Sequence, residues 1–212
     1  MKKYISIIFS IALVFVMLAT LSGCGDKSKF IGSWEADVDL SDIINEQIKN
    51  EPQMAEYIKF NDITIKFKFE FKEDDTCTLS VDKDDFNKTY DKIVNTFTEG
   101  VKKYLEAAAE QYGNGMTADD ILNASGMDMN ALINQAINKD DILNSFEEAE
   151  VNGKFKVEDG KLYTSNDVNS DSDMDNYLTY EIINDSEIKL IDSSDDDNEA
   201  FKQMLPMTLK KK

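Results

Sequence analysis

From Asp62 to Lys72 the chain alternates without a break. Ile63, Ile65, Phe67, Phe69 and Phe71 are interleaved with Thr64, Lys66, Lys68, Glu70 and Lys72. Successive side chains of a strand point to opposite faces, so this pattern predicts a strand with one buried and one solvated face. Glu73-Asp74-Asp75 then makes a three-residue turn into a second strand, Thr76–Asp82. That turn length keeps Cys77 on the face of Phe71, as a single buried face requires.

The same period recurs at both ends of the chain. Between Phe30 and Leu40, Trp34, Ala36, Val38 and Leu40 fall opposite Ser33, Glu35, Asp37 and Asp39. Ser41 offers a cap for a helix over Asp42–Ile48, and Pro52 suits the first turn of a short helix ending near Ile58. From about Lys83 to Glu150 the spacing turns helical: Phe86, Tyr90, Ile93, Phe97, Val101 and Leu105 recur at three and four residues behind a cap at Asp82 or Asp84. The Gly113–Gly115 stretch ends that helix. Thr117 and Asp128 cap two short helices, and Asp140–Ala149 forms another. Met116, Met127 and Met129 read as gap fillers between these helices, the alternative being a soft binding surface.

Strand pattern then returns with Gly153, Phe155 and Val157, a two-residue turn at Asp159-Gly160, and Leu162 and Thr164. Leu178, Tyr180 and Ile182 follow, then a turn at Asn184-Asp185-Ser186, then Ile188 and Leu190. Leu205, Met207 and Leu209 close the chain, with Pro206 standing where no ladder donor is needed. The pattern amounts to eight strands, three before the helical stretch and five after it. It predicts a mainly β chain: an eight-stranded antiparallel up-and-down barrel carrying a helical insertion, residues 83–150, between strands 3 and 4. The insertion is expected on the barrel mouth or side.

The N-terminus has the layout of a secretory signal peptide: Lys2-Lys3, an apolar run from Tyr4 to Leu21, and small residues before Cys24. The apolar run is also just long enough to span a bilayer uncleaved. Leu21-Ser22-Gly23-Cys24 resembles the bacterial lipoprotein lipobox. That resemblance implies that residues 1–23 are removed and that Cys24 becomes a lipidated N-terminus carrying a diacylglyceryl group, enough acyl chain for stable anchoring. Residues 24–29 then form a linker, and 30–212 form the barrel domain. Gly25 to Lys29, fully stretched, reaches roughly 15–20 Å, so the domain is expected to stay close to the outer face of the cell membrane. Richness in Lys, Asn, Ile and Asp suggests an AT-rich genome and, taken with the lipobox, a Gram-positive organism.

Composition narrows the chemistry. The net charge is −19, and −21 once Lys2 and Lys3 are gone. A chain this acidic carries no electrostatic footprint for nucleic acid and is repelled by anionic headgroups, so its membrane partner is reached through the lipid. There is no histidine, which removes Ser-His-Asp and Cys-His nucleophiles and His-ligated zinc. There is no arginine for bidentate grip of phosphate or carboxylate. With Cys24 lipidated, Cys77 has no disulfide partner and reads as a buried, inert thiol. The alternating oxygens at Asp167, Asn169, Asp171, Asp173 and Asp175 suggest a calcium loop. The EF-hand register fails from Asp171, where Asn176 and Ile182 replace the required Gly and Glu, and from Asp167, where Ser172 and Leu178 do. Asp195-Asp196-Asp197 reads as a solvated loop. No P-loop, nucleophile elbow or CxxC is present, no cofactor or metal is implied, and an enzyme is not expected.

Gly32-Ser33-Trp34, at the start of the first strand, resembles the G-x-W signature of lipocalin-like barrels. The closing hairpins, ending Leu205-Pro206-Met207-Thr208-Leu209-Lys210, are similar to small bacterial lipoproteins with such domains, over about residues 30–82 and 151–210. The resemblance implies that Trp34 plugs the closed end of the barrel. In that family an arginine from the last strands stacks on the Trp. Trp34, Phe67, Phe69, Phe71 and Tyr180 are the candidate lining of the barrel interior, which large aromatics fill or nearly fill. The function expected is a lipid-anchored, extracytoplasmic binding protein for a small apolar ligand. The alternative is a non-catalytic lipoprotein whose helical insertion docks a protein partner.

Overall fold

The computed structural model of the chain describes residues 26–111, 115–148, 151–165, 176–195 and 199–212. Cys24, the calcium-like alternation from Asp167 to Asp175, and Asp196-Asp197 lie outside them.

Eight strands close into an antiparallel barrel in strict sequence order, each paired with its neighbour and the last with the first. They are β1 (Gly32–Asp39), β2 (Thr64–Phe71), β3 (Thr76–Val81), β4 (Val151–Glu158), β5 (Lys161–Thr164), β6 (Leu178–Asn184), β7 (Glu187–Ser193) and β8 (Met207–Lys211). This is the expected up-and-down, lipocalin-like architecture. Closure removes every sheet edge, which an open antiparallel sheet would have to shield. The expected face sorting holds: Phe71 pairs with both Gly32 and Cys77, and Trp34 with Phe69, so all of these point inward.

The two ends of the barrel differ. At one end lie the tight turns after β2, β4 and β6. Asp74 fixes the first by accepting from the backbone and hydroxyl of Thr76, at 3.1 and 2.6 Å. Asn184 fixes the third in the same way through Ser186. A short helix, α1 (Lys27–Phe30), lies across this end. Lys27 pairs with Asp75 and donates to the Glu73 carbonyl, Lys29 pairs with Asp185 at 2.6 Å, and the Tyr180 hydroxyl donates to Asp26 at 3.0 Å. Phe30, 0% exposed, drops into the barrel with its ring edge against Phe71 and Tyr180.

At the other end, the mouth, the connections are long. Between β1 and β2 come α2 (Ser41–Ile48) and α3 (Pro52–Ala55). Between β3 and β4 the described helices are α4 (Lys83–Gln111), α5 (Ala118–Ala124), α6 (Met129–Ala136) and α7 (Lys139–Glu148). This insertion leans over the mouth, with α4 against β2 and α7 against β3. Thr89 donates to the Thr64 carbonyl at 2.6 Å, and Phe86 meets Phe146 edge-on. A further short helix, α8 (Glu199–Lys202), precedes β8.

The structure corrects several expectations. Phe30 lies outside the first strand, which begins at Gly32, and residues 27–29, expected as linker, belong to α1. Ser41 does not cap α2: it is the first helical residue, and its hydroxyl instead accepts from the Ile63 N–H at 2.8 Å in the core. The third helix stops at Ala55 rather than near Ile58. α7 starts at Lys139, because Asn138 caps it by accepting from Asp140 and Asp141. Leu205 and Pro206 precede β8. Asp82, Thr117 and Asp128 cap as expected, Thr117 in a full capping box with Asp120. Of the three methionines, Met129 packs against the core, while Met116 and Met127 are 36% and 39% exposed.

Candidate functional site

The five residues expected to line the barrel do face its interior. Trp34, Phe67 and Phe71 are buried, while Phe69 and Tyr180 are half-buried. Phe71 is central: it stacks on Phe69 at 6.4 Å and meets Phe155 edge-on at 4.9 Å and Phe30 at 5.5 Å. Trp34 lies buried near the α1 end, its indole N–H donating to the Phe30 carbonyl. The Lys211 ammonium of β8 lies 5.1 Å from the Trp34 ring centroid. Leu162, Ile188, Leu190 and Leu209 complete the interior with almost no accessible surface. A wall facing a hollow keeps accessible surface, so these four residues border no hollow, while Phe69 and Tyr180 retain partial exposure.

The group chemistry of this interior is inert. Burial pushes the Cys77 thiol up to about 12, against a smaller downward pull from the Gly153 backbone. Burial, and then the Asp26 carboxylate, raise Tyr180 above the ordinary tyrosine range. Among the described residues no three His, Cys, Asp or Glu side chains converge into a metal-binding group, and no described helix is long and apolar enough to cross a membrane.

An open space lies instead over the mouth, between the β1–β2 connection and the insertion. It is a half-open cleft of about 60 Å³. Ile44 and Ile48 of α2, Met54 of α3, and Ile58 and Phe60 after it form one wall. Ile93 and Phe97 of α4, with Ala136 and Ile137 at the end of α6, form the other. Glu51, just before α3, is the single charged residue of the lining.

The walls are held by polar contacts outside the apolar surface. The Asn45 side chain both donates to and accepts from the backbone of Phe60, at 2.7 and 2.8 Å. The Tyr90 hydroxyl donates to the Ile137 carbonyl at 2.9 Å, and burial, ahead of Asp91 and Asp140, raises its pKa. Tyr57 packs edge-on to Tyr104, whose hydroxyl donates to Gln53 at 3.2 Å. Gly100 of α4 sits directly against Ile58: a Cβ there would lie 2.4 Å from the Ile58 Cγ1 and 2.9 Å from the Tyr57 carbonyl oxygen. Only a residue without a side chain lets α4 come this close.

The cleft is small. Its 60 Å³ is under half of the roughly 150 Å³ that accommodates a benzene ring. It suits three or four methylenes, whose burial contributes roughly 2.5–3 kcal/mol. The rest of any ligand must lie in solvent. None of the five residues singled out from sequence belongs to its lining, and no sequence motif marks it.

Comparison with protein-family models, with curated proteins and with solved structures returns no match.

Proposed function

We propose that this chain is a lipid-anchored extracytoplasmic binding protein, non-catalytic and lipocalin-like, which holds the apolar end of a small ligand. The observation that carries the reading is the half-open apolar cleft at the mouth of a barrel in which Leu162, Ile188, Leu190 and Leu209 keep almost no accessible surface. The ligand site therefore moves from the barrel aromatics to the helices above them. The one described cysteine is buried with its thiol pushed up to about 12, and the chain lacks histidine, so neither a Cys-His nor a Ser-His-Asp nucleophile supports a catalytic reading.

Lipidation at Cys24 gives this site a direction. Asp26 already bonds Tyr180 at the closed end of the barrel, so about two residues, roughly 7 Å of chain, separate the lipid from folded structure. The closed end then stands on the outer face of the membrane, and the cleft opens at the far end. Ligand arrives from the aqueous side rather than from the bilayer. Labelling with radioactive palmitate tests the anchor: wild type should take label and Cys24→Ala should not, and an unlabelled full-length membrane form would refute it. Native mass spectrometry of residues 25–212 tests the binding. A stoichiometric small molecule, or one acquired from lipid extract, supports the reading; repeated empty spectra refute it.

One observation favours the second reading, a lipoprotein whose insertion docks a protein partner. Met116 and Met127 stand exposed on that insertion, and methionine suits adaptable contact surfaces. Cross-linking from these two positions on cells, set against an equal number of barrel positions, distinguishes a partner from background.

A further inference from the structure

We infer that the cleft selects a cationic amphiphile: a short alkyl end seated among the apolar side chains and a protonated amine on the Glu51 carboxylate. The inference rests on the cleft being a ligand site and adds the chemical class of the ligand. Glu51 is half-buried and is the one charged residue among those that line the cleft. Among the described residues it makes no ion pair, so its charge is available.

The surroundings discriminate against the other amphiphile classes. No lysine is among the residues that line the cleft, and the chain has no arginine or histidine, so the lining itself offers a fatty acid or phospholipid headgroup no counter-charge. It would instead meet Glu51 and the field of a chain with net charge −19. A neutral alcohol gains the apolar contact alone. An alkylammonium gains both, in a half-buried setting where solvent screens the pair less than at an open surface.

The test uses residues 25–212, which retain every described contact, at 0.15 M salt to suppress loose attraction to the acidic surface. Hexylammonium, hexanol and hexanoate are titrated separately, with backbone amide shifts of Ile48, Ile58 and Ala136 as the readout. Hexylammonium should bind about tenfold tighter than hexanol, with hexanoate weakest. Glu51→Gln should lower hexylammonium affinity about tenfold and leave hexanol unchanged. Ala136→Leu, which fills the cleft, should abolish the shifts for every probe. Equal affinity for hexylammonium and hexanol, or no response to Glu51→Gln, overturns the charge assignment while leaving the cleft as a site. Hexylammonium shifts that survive Ala136→Leu, or that spread over unrelated acidic residues, place the binding elsewhere and overturn the proposal. Silence from all three probes overturns the cleft reading as well.

Discussion

Replacing Gly100 by alanine sets two effects of opposite sign against each other. Gly100 lies inside the long helix α4, and glycine in a helix interior is about 0.8–1.0 kcal/mol less favourable than alanine. Propensity alone therefore predicts a more stable protein. Packing predicts the reverse. The new Cβ would lie 2.4 Å from the Ile58 Cγ1, 2.9 Å from the Tyr57 carbonyl oxygen and 3.1 Å from the Ile58 Cα. The first contact could be relieved by rotating Ile58, but the other two are backbone atoms, so α4 and the segment after α3 must separate. Overpacking costs about 1–3 kcal/mol, and a clash with backbone on both counts belongs in the upper half of that range. The clash outweighs the gain in propensity, leaving a net loss of about 1–2 kcal/mol. At about 2–4 °C per kcal/mol for a chain of this length, Tm should fall by about 2–8 °C. Asn95→Ala is the control, an exposed position on the same helix where only propensity acts, and it should hold or slightly raise Tm. Calorimetry or circular dichroism reads both variants. If Gly100→Ala melts at or above wild type, the close approach of α4 to Ile58, and with it the described shape of the cleft, is wrong.

Phe30→Ala removes a fully buried ring from the closed end and should cost about 3–5 kcal/mol in a denaturant titration; a loss under about 1 kcal/mol would mean that α1 does not seal the barrel. Cys77 should stay unreactive toward a thiol reagent at pH 8 until denaturant is added, since its thiol is buried and pushed up to about 12; rapid labelling of the native protein would contradict the inward face of β3. Stability should change little between pH 8 and 5, because no histidine titrates there, and should fall in acid. Lys29 holds the Asp185 carboxyl below its ordinary range, and Lys68 does the same to Asp82. Each pair's contribution is complete above the unfolded carboxyl value of about 4 and is lost as pH falls through the lowered folded value. A melting step between pH 5 and 8 would contradict this.

The barrel was legible because a period of two sorts every residue of a strand onto a face, and a wrong register would have put Phe71 and Cys77 on opposite sides. The error at Phe30 has a local cause. Phe30 is in phase with Trp34, so alternation carries it into the strand, but Gly32 adopts φ +126°, a conformation suited to glycine, and turns the chain over the barrel end. There Phe30 becomes the plug and α1 the strap. The cleft was illegible for a different reason. Its walls come from residues 44–60 and 93–137, and each of those apolar side chains reads equally well as the buried stripe of its own helix. What separates a packed helix interface from one that leaves a space is the relative placement of distant elements, which no local period encodes. Two residues do break the local rules. Gly100 is a buried glycine in mid-helix, and Asn45 is a polar residue among Ile43, Ile44 and Ile48. Both cost helix propensity, and both set the position of the 57–60 segment: Gly100 by letting α4 reach Ile58, Asn45 by holding the Phe60 backbone. Departures from local consistency collect where a structure serves something other than its own stability. That these two converge on one wall of the cleft is the sequence's own pointer to the site, readable once the fold is known.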